Sequence, residues 1–357
     1  MKHIHRQVLE HIQSGKKTIL ATVTRSSGST PQKPGSSALF GMQGLLAGTV
    51  GGGLLEARVQ AIAREAMNSG LSGQYVFNLD SRQGNEGALC GGKTTVLIDA
   101  HPGKFLKVFE DMDRAISRRT GGILLTVFRN GDGKYQPIQR AWITEDEPEQ
   151  LSGDFEPAVR EAFERVYRRE AVREFMEVEV PGTDLQEQKE LFLEQIRPLP
   201  RLIIAGAGHV GKALAHLGSL LDFEITVVDD RGEFASRENI PEADHFMVSD
   251  IGRAMRRIAH GKDTYVVIVT RGHEQDAEAL KPWIGSGAAY VGMIGSKHKV
   301  AAMRKQFLEQ GWATPAQWAA IHTPIGLEIG SKTVQEIAIS IAAQLVLVRN
   351  RKIEPHE

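Results

Sequence analysis

Short apolar runs rich in β-branched residues alternate with helical patterns along the whole chain, which reads as α/β throughout. Over residues 1–100 the pattern predicts a helix at about 2–14, a strand "KTILATV" and a loop "TRSSGSTPQKPGSS". Two short strands, "ALFG" and "GLLAGTV", a helix from about 53, a strand "GQYVFNL", a glycine-rich loop and a strand "KTTVLID" follow. In the helix after "GGG", Leu55, Val59, Ile62 and Ala66 fall on one face. Residues 103–197 repeat this order loosely. They give a helix "FLKVFEDMDRAISRR", strands "GILLTVF" and near "QRAWITED", a helix "EPAVREAFERVYRR", and strands "EFMEVEV" and "ELFLEQI". The pattern is that of a degenerate internal duplication. The first copy would keep the ligand chemistry. The second, with "EDEPEQ" where the first has glycine loops, would be scaffold. Equal strand orders in the two halves are the requirement.

Pro198 and Pro200 cannot sit inside a helix or a central strand, so a break falls at "EQIRPLPRLIIAGAG". Residues 201–347 then predict a doubly wound parallel sheet. Its strands are "RLIIAG", "EITVVDD", "DHFMVS", "TYVVIVT", "AYVGMIG" and a sixth at "AIHTPI", closed by a long helix "SKTVQEIAISIAAQLVLVR". The expected division is 1–100, 101–197, 198–348 and a tail at 349–357.

Composition narrows the function classes. The 357 residues suggest two or three domains, and 41% hydrophobic with 24% charged residues is ordinary for a soluble globular protein. With 43 basic against 44 acidic residues there is no global basic footprint for nucleic acid or an anionic membrane. The apolar runs are too short to span a bilayer, and the amphipathic "MKHIHRQVLEHIQSGKK" carries no secretory core. One cysteine, Cys90, can form neither an internal disulfide nor a multi-cysteine zinc site, and a cytoplasmic setting is expected.

Candidate chemistry concentrates in glycine-rich turns. Gly206, Gly208 and Gly211 have G-x-G-x-x-G spacing after a β-run, His209 opens the helix, and Asp229 stands at the end of the next strand. That is the full dinucleotide-binding context. The glycines allow a pyrophosphate to approach closely, the helix N-terminus supplies N–H donors, and Asp229, or Asp230 beside it, would accept from a ribose hydroxyl. Two adjacent acids argue against a 2′-phosphate, although Arg231 softens that. Close helix–strand packing alone would use the same glycines, and ATP, CTP or another phosphorylated ligand would use the same groups as NAD(H). Further loops fall at the carboxyl ends of later strands. "TRGHEQD" carries Arg271, His273 and Asp276, the last also suited to helix capping. "IGSKHK" offers Ser296 and Lys297 to a phosphate, to a cap or to solvent, and "TPIGLEIGSKT" offers Gly326, Gly330 and Ser331.

Three N-terminal loops share this character. "RSSGSTPQKPGSS" holds Ser27, Gln32 and Lys33 beside Arg25. "GTVGGG" places Gly48, Gly51, Gly52 and Gly53 before a helix whose first turn holds Glu56. It is no P-loop, because no Lys-Ser/Thr follows, but its N–H groups suit an anion. "GALCGGKT" sets Cys90 before Gly91, Gly92 and Lys93. Cys90 is either a small buried apolar residue or a thiolate favoured by Lys93.

"ATVTRSSGSTPQKPGSSALF", "GTVGGGLLEARV" and "LCGG" resemble the N-terminal module of the xanthine dehydrogenase accessory proteins, the XdhC/CoxI family. "IIAGAGHVGKALA", "VVDDR", "VIVTRGHEQDAEAL", "YVGMIGSKHK" and "HTPIGLEIGSKTVQEIAISIAAQLV" resemble that family's C-terminal Rossmann module. The resemblance covers residues 15–100 and 200–348 in the right order and leaves 103–197 without a match. It implies a maturation factor. Such a protein binds the molybdenum–pterin cofactor, holds it while a cysteine desulfurase helps exchange an oxo for a sulfido ligand, and delivers it to a molybdenum hydroxylase apo-enzyme. The family impression also implies a homodimer. Cys90 would then ligate molybdenum or relay sulfur, since a thiolate is the soft ligand for such a site. The residues also suit two other readings: an NAD-dependent oxidoreductase with His273 and Lys297 as acid–base groups, and a sulfurtransferase carrying a persulfide on Cys90.

Overall fold

The computed structural model describes residues 4–79, 92–129, 137–145, 151, 155–169, 175–180 and 189–351. The chain divides into two compact units, Met1–Pro198 and Leu199–Glu357.

The first half of the N-terminal unit runs α1 (Ile4–Gln13), β1 (Ile19–Gly28), β2 (Ser37–Gly41), β3 (Gly44–Gly48), α2 (Gly53–Ser69), β4 (Gly73–Asn78) and β5 (Gly92–Asp99). Its five strands form an antiparallel sheet in the order β3-β2-β1-β5-β4. The second half runs α3 (Leu106–Ser117), β6 (Gly122–Arg129), β7 (Gln139–Thr144), α4 (Pro157–Arg169), β8 (Phe175–Val180) and β9 (Lys189–Ile196). Its antiparallel sheet has the order β7-β6-β9-β8. With β3 set aside, β2-β1-β5-β4 and β7-β6-β9-β8 are the same path. Each half also has a helix before its first strand and another before its third long strand.

Side chains alternate across β1 and sort its two faces. Ile19, Ala21 and Val23 meet Leu55, Val59, Ala63 and Ala66 of α2. Leu20 and Leu39 turn the other way into a cluster with Val8 of α1, Phe109 and Met112 of α3, and Leu124 and Trp142 of the second sheet. Each fully buried Leu or Phe there contributes about 1.5–3 kcal/mol. The α2 face is close to the expected one, with Ile62 only partly covered. Gly70, in the left-handed region at φ 72°, ends the helix and returns its N–H to Ala66 O. A buried ion pair between Arg140 of β7 and Asp99 of β5 ties the two halves together.

The C-terminal unit runs β10 (Arg201–Ala205), α5 (His209–Leu220), β11 (Glu224–Asp229), β12 (His245–Val248), α6 (Ile251–Arg257), β13 (Thr264–Ile268), α7 (His273–Leu280), β14 (Tyr290–Met293), α8 (Lys297–Glu309), α9 (Pro315–Ala319) and α10 (Val334–Arg351). All five strands are parallel in the order β12-β11-β10-β13-β14. Apolar clusters cover both faces, as an all-parallel sheet requires. The architecture is therefore an antiparallel α/β unit followed by a doubly wound parallel sheet.

Two expectations need correction. The sixth strand shrinks to one bridge between Gly292 and His322. The His322 ring stacks on Tyr290 at 4.5 Å, and the chain then leaves the sheet at Pro324. The last helix begins at Val334, later than its sequence pattern. The Glu336 carboxylate turns back to accept from the N–H groups of Lys332 and Thr333, at 2.6 and 2.9 Å, and holds them outside the helix.

Candidate functional site

In the N-terminal unit three of the expected loops meet. A Cβ at Gly51 would lie 2.7 Å from the Pro31 ring, and a Cβ at Gly92 would lie 2.5 Å from Ser29 O and 2.8 Å from Ser27 O. Only glycine permits both approaches. At Gly52 and Gly53 a Cβ would meet nothing within 4 Å. Both have positive φ, 67° and 54°, and they open directly onto the first turn of α2. Glu56 N is the first to find a helical acceptor, Gly52 O at 3.3 Å. Among the described residues, the N–H groups of Gly52 to Leu55 meet none. The turn is braced from behind. The Thr49 hydroxyl donates to Glu56 Oε2 (2.8 Å) and accepts from Gly51 N (3.1 Å). Gly48 is structural, since a Cβ there would lie 2.1 Å from Ser37 O.

The side chains of these loops are partly committed. Gln32 Oε1 accepts from the Ser36 hydroxyl at 3.0 Å, and Ser27 pairs with Lys93 across β1 and β5. Arg25 reaches two carboxylates of the second sheet, Glu177 at 2.6 Å and Glu190 at 3.4 Å. Burial, and then the neighbouring Glu177 carboxyl, raise Glu190 to about 7, against the pull of Arg25 and of the Gln74 amide. On the same strand, burial raises Glu194 to about 8. None of these acids stands out in the sequence. Nothing local marks Glu177 and Glu190 as partners of Arg25, because only the packing of one sheet on the other brings them to it. Cys90 and Gly91 lie outside the described residues.

In the C-terminal unit the candidates gather at the carboxyl ends of the strands. Strand order reverses direction between β10 and β13, the place where such sheets bind ligands. Gly206 and Gly211 serve packing, since a Cβ on the first would lie 2.5 Å from Val269 O and on the second 1.9 Å from Gly206 O. Gly208 faces open space, and His209 starts α5 beside it. Asp229 is 2% exposed. Its Oδ2 accepts from Ala207 N (2.8 Å) and Arg231 Nη2 (3.0 Å), its Oδ1 from Arg231 N (3.0 Å) and Nε (2.9 Å). Burial works to raise this carboxyl, but these bonds outweigh it and hold it at about 2. Asp230 Oδ2 accepts from Arg271 Nη2 at 2.7 Å.

Several of the other candidates have structural partners. Asp276 is fully buried, accepts from the Thr270 hydroxyl at 2.6 Å and pairs with Lys299 of α8. Burial leaves its carboxyl above the ordinary value, despite the Lys299 and Thr270 bonds. Ser296 caps α8 by accepting from Lys299 N at 3.2 Å. His273 is exposed at the start of α7, and Lys297 is exposed on α8. Gly326 N donates to Gln344 Oε1 at 2.9 Å, and Ser331 donates to Glu336 O at 3.1 Å, which fastens that loop to α10. Among the described residues, no group of three or more His, Cys, Asp or Glu could hold a metal ion, and no helix is long and apolar enough to cross a membrane.

Both units match known family models. Residues 11–78 match the XdhC and CoxI family, and residues 202–345 match the XdhC Rossmann domain. The chain belongs to the XdhC family. Among XdhC-like relatives, a Bacillus subtilis protein named as a probable subunit of xanthine dehydrogenase is 23% identical over 355 residues, 98% of this chain and 99% of that one. An Escherichia coli protein, YqeB, is 35% identical over 170 residues. That match covers 47% of this chain and only 31% of YqeB. A crystal structure from Bacillus halodurans, described as a xanthine dehydrogenase, shares the fold. Its TM-score is 0.74 at 22% identity, covering 98% of this chain and 96% of that one.

Proposed function

We propose that this XdhC-family chain is an accessory factor for a xanthine dehydrogenase-type molybdenum hydroxylase. On this reading the N-terminal unit takes the molybdenum–pterin cofactor as cargo, supports its sulfuration and passes it to the apo-enzyme. The observation that carries the reading is the open first turn of α2 behind Gly52 and Gly53, walled by the Ser27–Gln32 loop and Gly92. Free N–H groups and the positive end of the helix dipole suit the cofactor's phosphate. Because Arg25 is paired with Glu177, the backbone carries most of the anion recognition. The names of the Bacillus relatives point to the same client enzyme.

Cys90, in the "LCGG" loop, is the group proposed to hold molybdenum or carry sulfur received from a cysteine desulfurase. We place the factor in the cytoplasm as a homodimer. Its C-terminal unit is proposed to bind NAD(H) or another nucleotide at the Gly206–Gly211 turn. The test of the main reading is mass spectrometry of ligands released from protein purified anaerobically after coexpression with the cofactor pathway. A released molybdenum–pterin supports it, and its absence overturns it. Cys90→Ala that still binds cofactor and still yields active hydroxylase would remove Cys90 from the scheme. A mass gain of one sulfur on Cys90 after incubation with desulfurase would assign it the relay.

A further inference from the structure

The C-terminal unit carries two adjacent acids where nucleotide sites of this topology use one. They are not equivalent. A carboxylate has about four lone-pair positions. Asp229 fills four, with Ala207 N and Nη2 of Arg231 on Oδ2, and Arg231 N and Nε on Oδ1. It is also 2% exposed. No hydroxyl can reach it unless Arg231 leaves. Arg231 is held a second time, with its guanidinium lying 3.8 Å over the Phe234 ring.

Asp230 is the opposite case. Its side chain is 31% exposed. Oδ2 accepts from Arg271 Nη2 at 2.7 Å and from Gln275 Nε2 at 3.4 Å. Oδ1 has Arg231 Nε at 3.9 Å, beyond hydrogen-bond range, and among the described residues it accepts no hydrogen bond. Next to it, Gln275 Oε1 is buried and likewise meets no donor among the described residues. Asp230 follows β11 and Arg271 follows β13, the two strands that flank β10. Their pair therefore spans the end of β10, across the turn that holds Gly206 and Gly208.

Resting on the nucleotide reading above, we propose that Asp230, and not Asp229, accepts the ribose hydroxyls of a bound ribonucleotide, while Arg271, anchored on the other oxygen of Asp230, faces its phosphate. Asp229 is the positioning residue that holds the glycine turn and Arg231 in place. The ligand class is a ribonucleotide with free 2′ and 3′ hydroxyls, because beside the glycine turn a ribose supplies the hydroxyl donors that the open carboxylate oxygen accepts.

The test is isothermal titration calorimetry of the full chain with ATP, CTP and NAD, followed by the 2′,3′-dideoxy analogue of whichever binds. Wild type is expected to bind the dideoxy analogue about tenfold or more weaker, the effect of losing a hydrogen bond to a charged group. In Asp230→Asn that discrimination should fall below about twofold, with the circular dichroism spectrum unchanged. If the parent ligand binds but the dideoxy analogue binds equally, or if Asp230→Asn keeps the discrimination, the assignment of Asp230 is overturned and the nucleotide reading survives. If wild type binds none of the three nucleotides, the nucleotide reading itself is overturned, and the assignment with it.

Discussion

The two glycine turns look alike as strings and differ as backbone. In "GAGHVG" two glycines are pressed against main chain: a Cβ at Gly211 would lie 1.9 Å from Gly206 O, and one at Gly206 2.5 Å from Val269 O. In "GTVGGG" the last two glycines touch nothing, and only Gly48 and Gly51 are crowded. Each turn has a carboxylate brace. Asp229 bonds directly to the Ala207 N–H, whereas Glu56 acts through the Thr49 hydroxyl. Gly206 and Gly211 thus serve close packing, whereas Gly52 and Gly53 border unfilled space. The glycine count of a loop does not distinguish these uses, but what a methyl group would meet does.

The largest effect should come from Gly211→Val, which drives a branched side chain into a main-chain carbonyl. A cost above about 4 kcal/mol is expected, and thermal unfolding should show the C-terminal unit melting early or not folding. Next is Asp229→Asn, which weakens four hydrogen bonds to a buried charge at an expected cost of about 2–4 kcal/mol. This carboxyl is held at about 2, against an ordinary 3.8. Its contribution is therefore complete above the ordinary value and fades as pH falls through about 2. Acid titration of the melting temperature should be flatter in Asp229→Asn over that window. Gly52→Ala should cost less, about 1–3 kcal/mol of backbone strain at φ 67°, ψ −178°, with no clash. A well-folded Gly52→Ala that no longer releases pterin would sharpen the contrast between the turns, and one that keeps its cofactor would break it. Smallest is Thr49→Val, at about 1 kcal/mol for its two hydrogen bonds. A chemical denaturation midpoint identical to wild type would show that the brace in this turn is idle.

Much of the fold is legible in the sequence because it rests on local patterning. Strand periodicity, the proline pair and the glycine fingerprint each act within a few residues. The repeated element order of the N-terminal unit can be read as well, and with β3 set aside the two sheets follow the same strand path. The Ser27, Gly51 and Gly92 loops share a composition in the sequence, and the fold brings them together. What escapes a reading of the sequence is long-range pairing. Arg25 looks like a cation waiting for an anion until the sheets bring Glu177 and Glu190 to it. The start of α10 is hidden because one side chain, Glu336, captures two N–H groups ahead of it. The two neighbouring acids differ through partners mostly far along the chain: Asp229 is buried and accepts from Ala207 N and Arg231, whereas Asp230 is part-exposed and accepts from Arg271 and Gln275.

The acids of β9 have a thermodynamic consequence. Glu190 and Glu194 hold protons up to about 7 and about 8, against an ordinary value of 4.5. Between those limits the folded chain keeps protons that the unfolded chain has released. The N-terminal unit thus takes protons from the buffer as it folds, and loses stability as pH rises toward 8. Calorimetric unfolding near pH 7 should then give different apparent enthalpies in phosphate and in Tris, whose heats of ionisation differ. In a Glu190→Gln, Glu194→Gln double variant the difference between the two buffers should shrink.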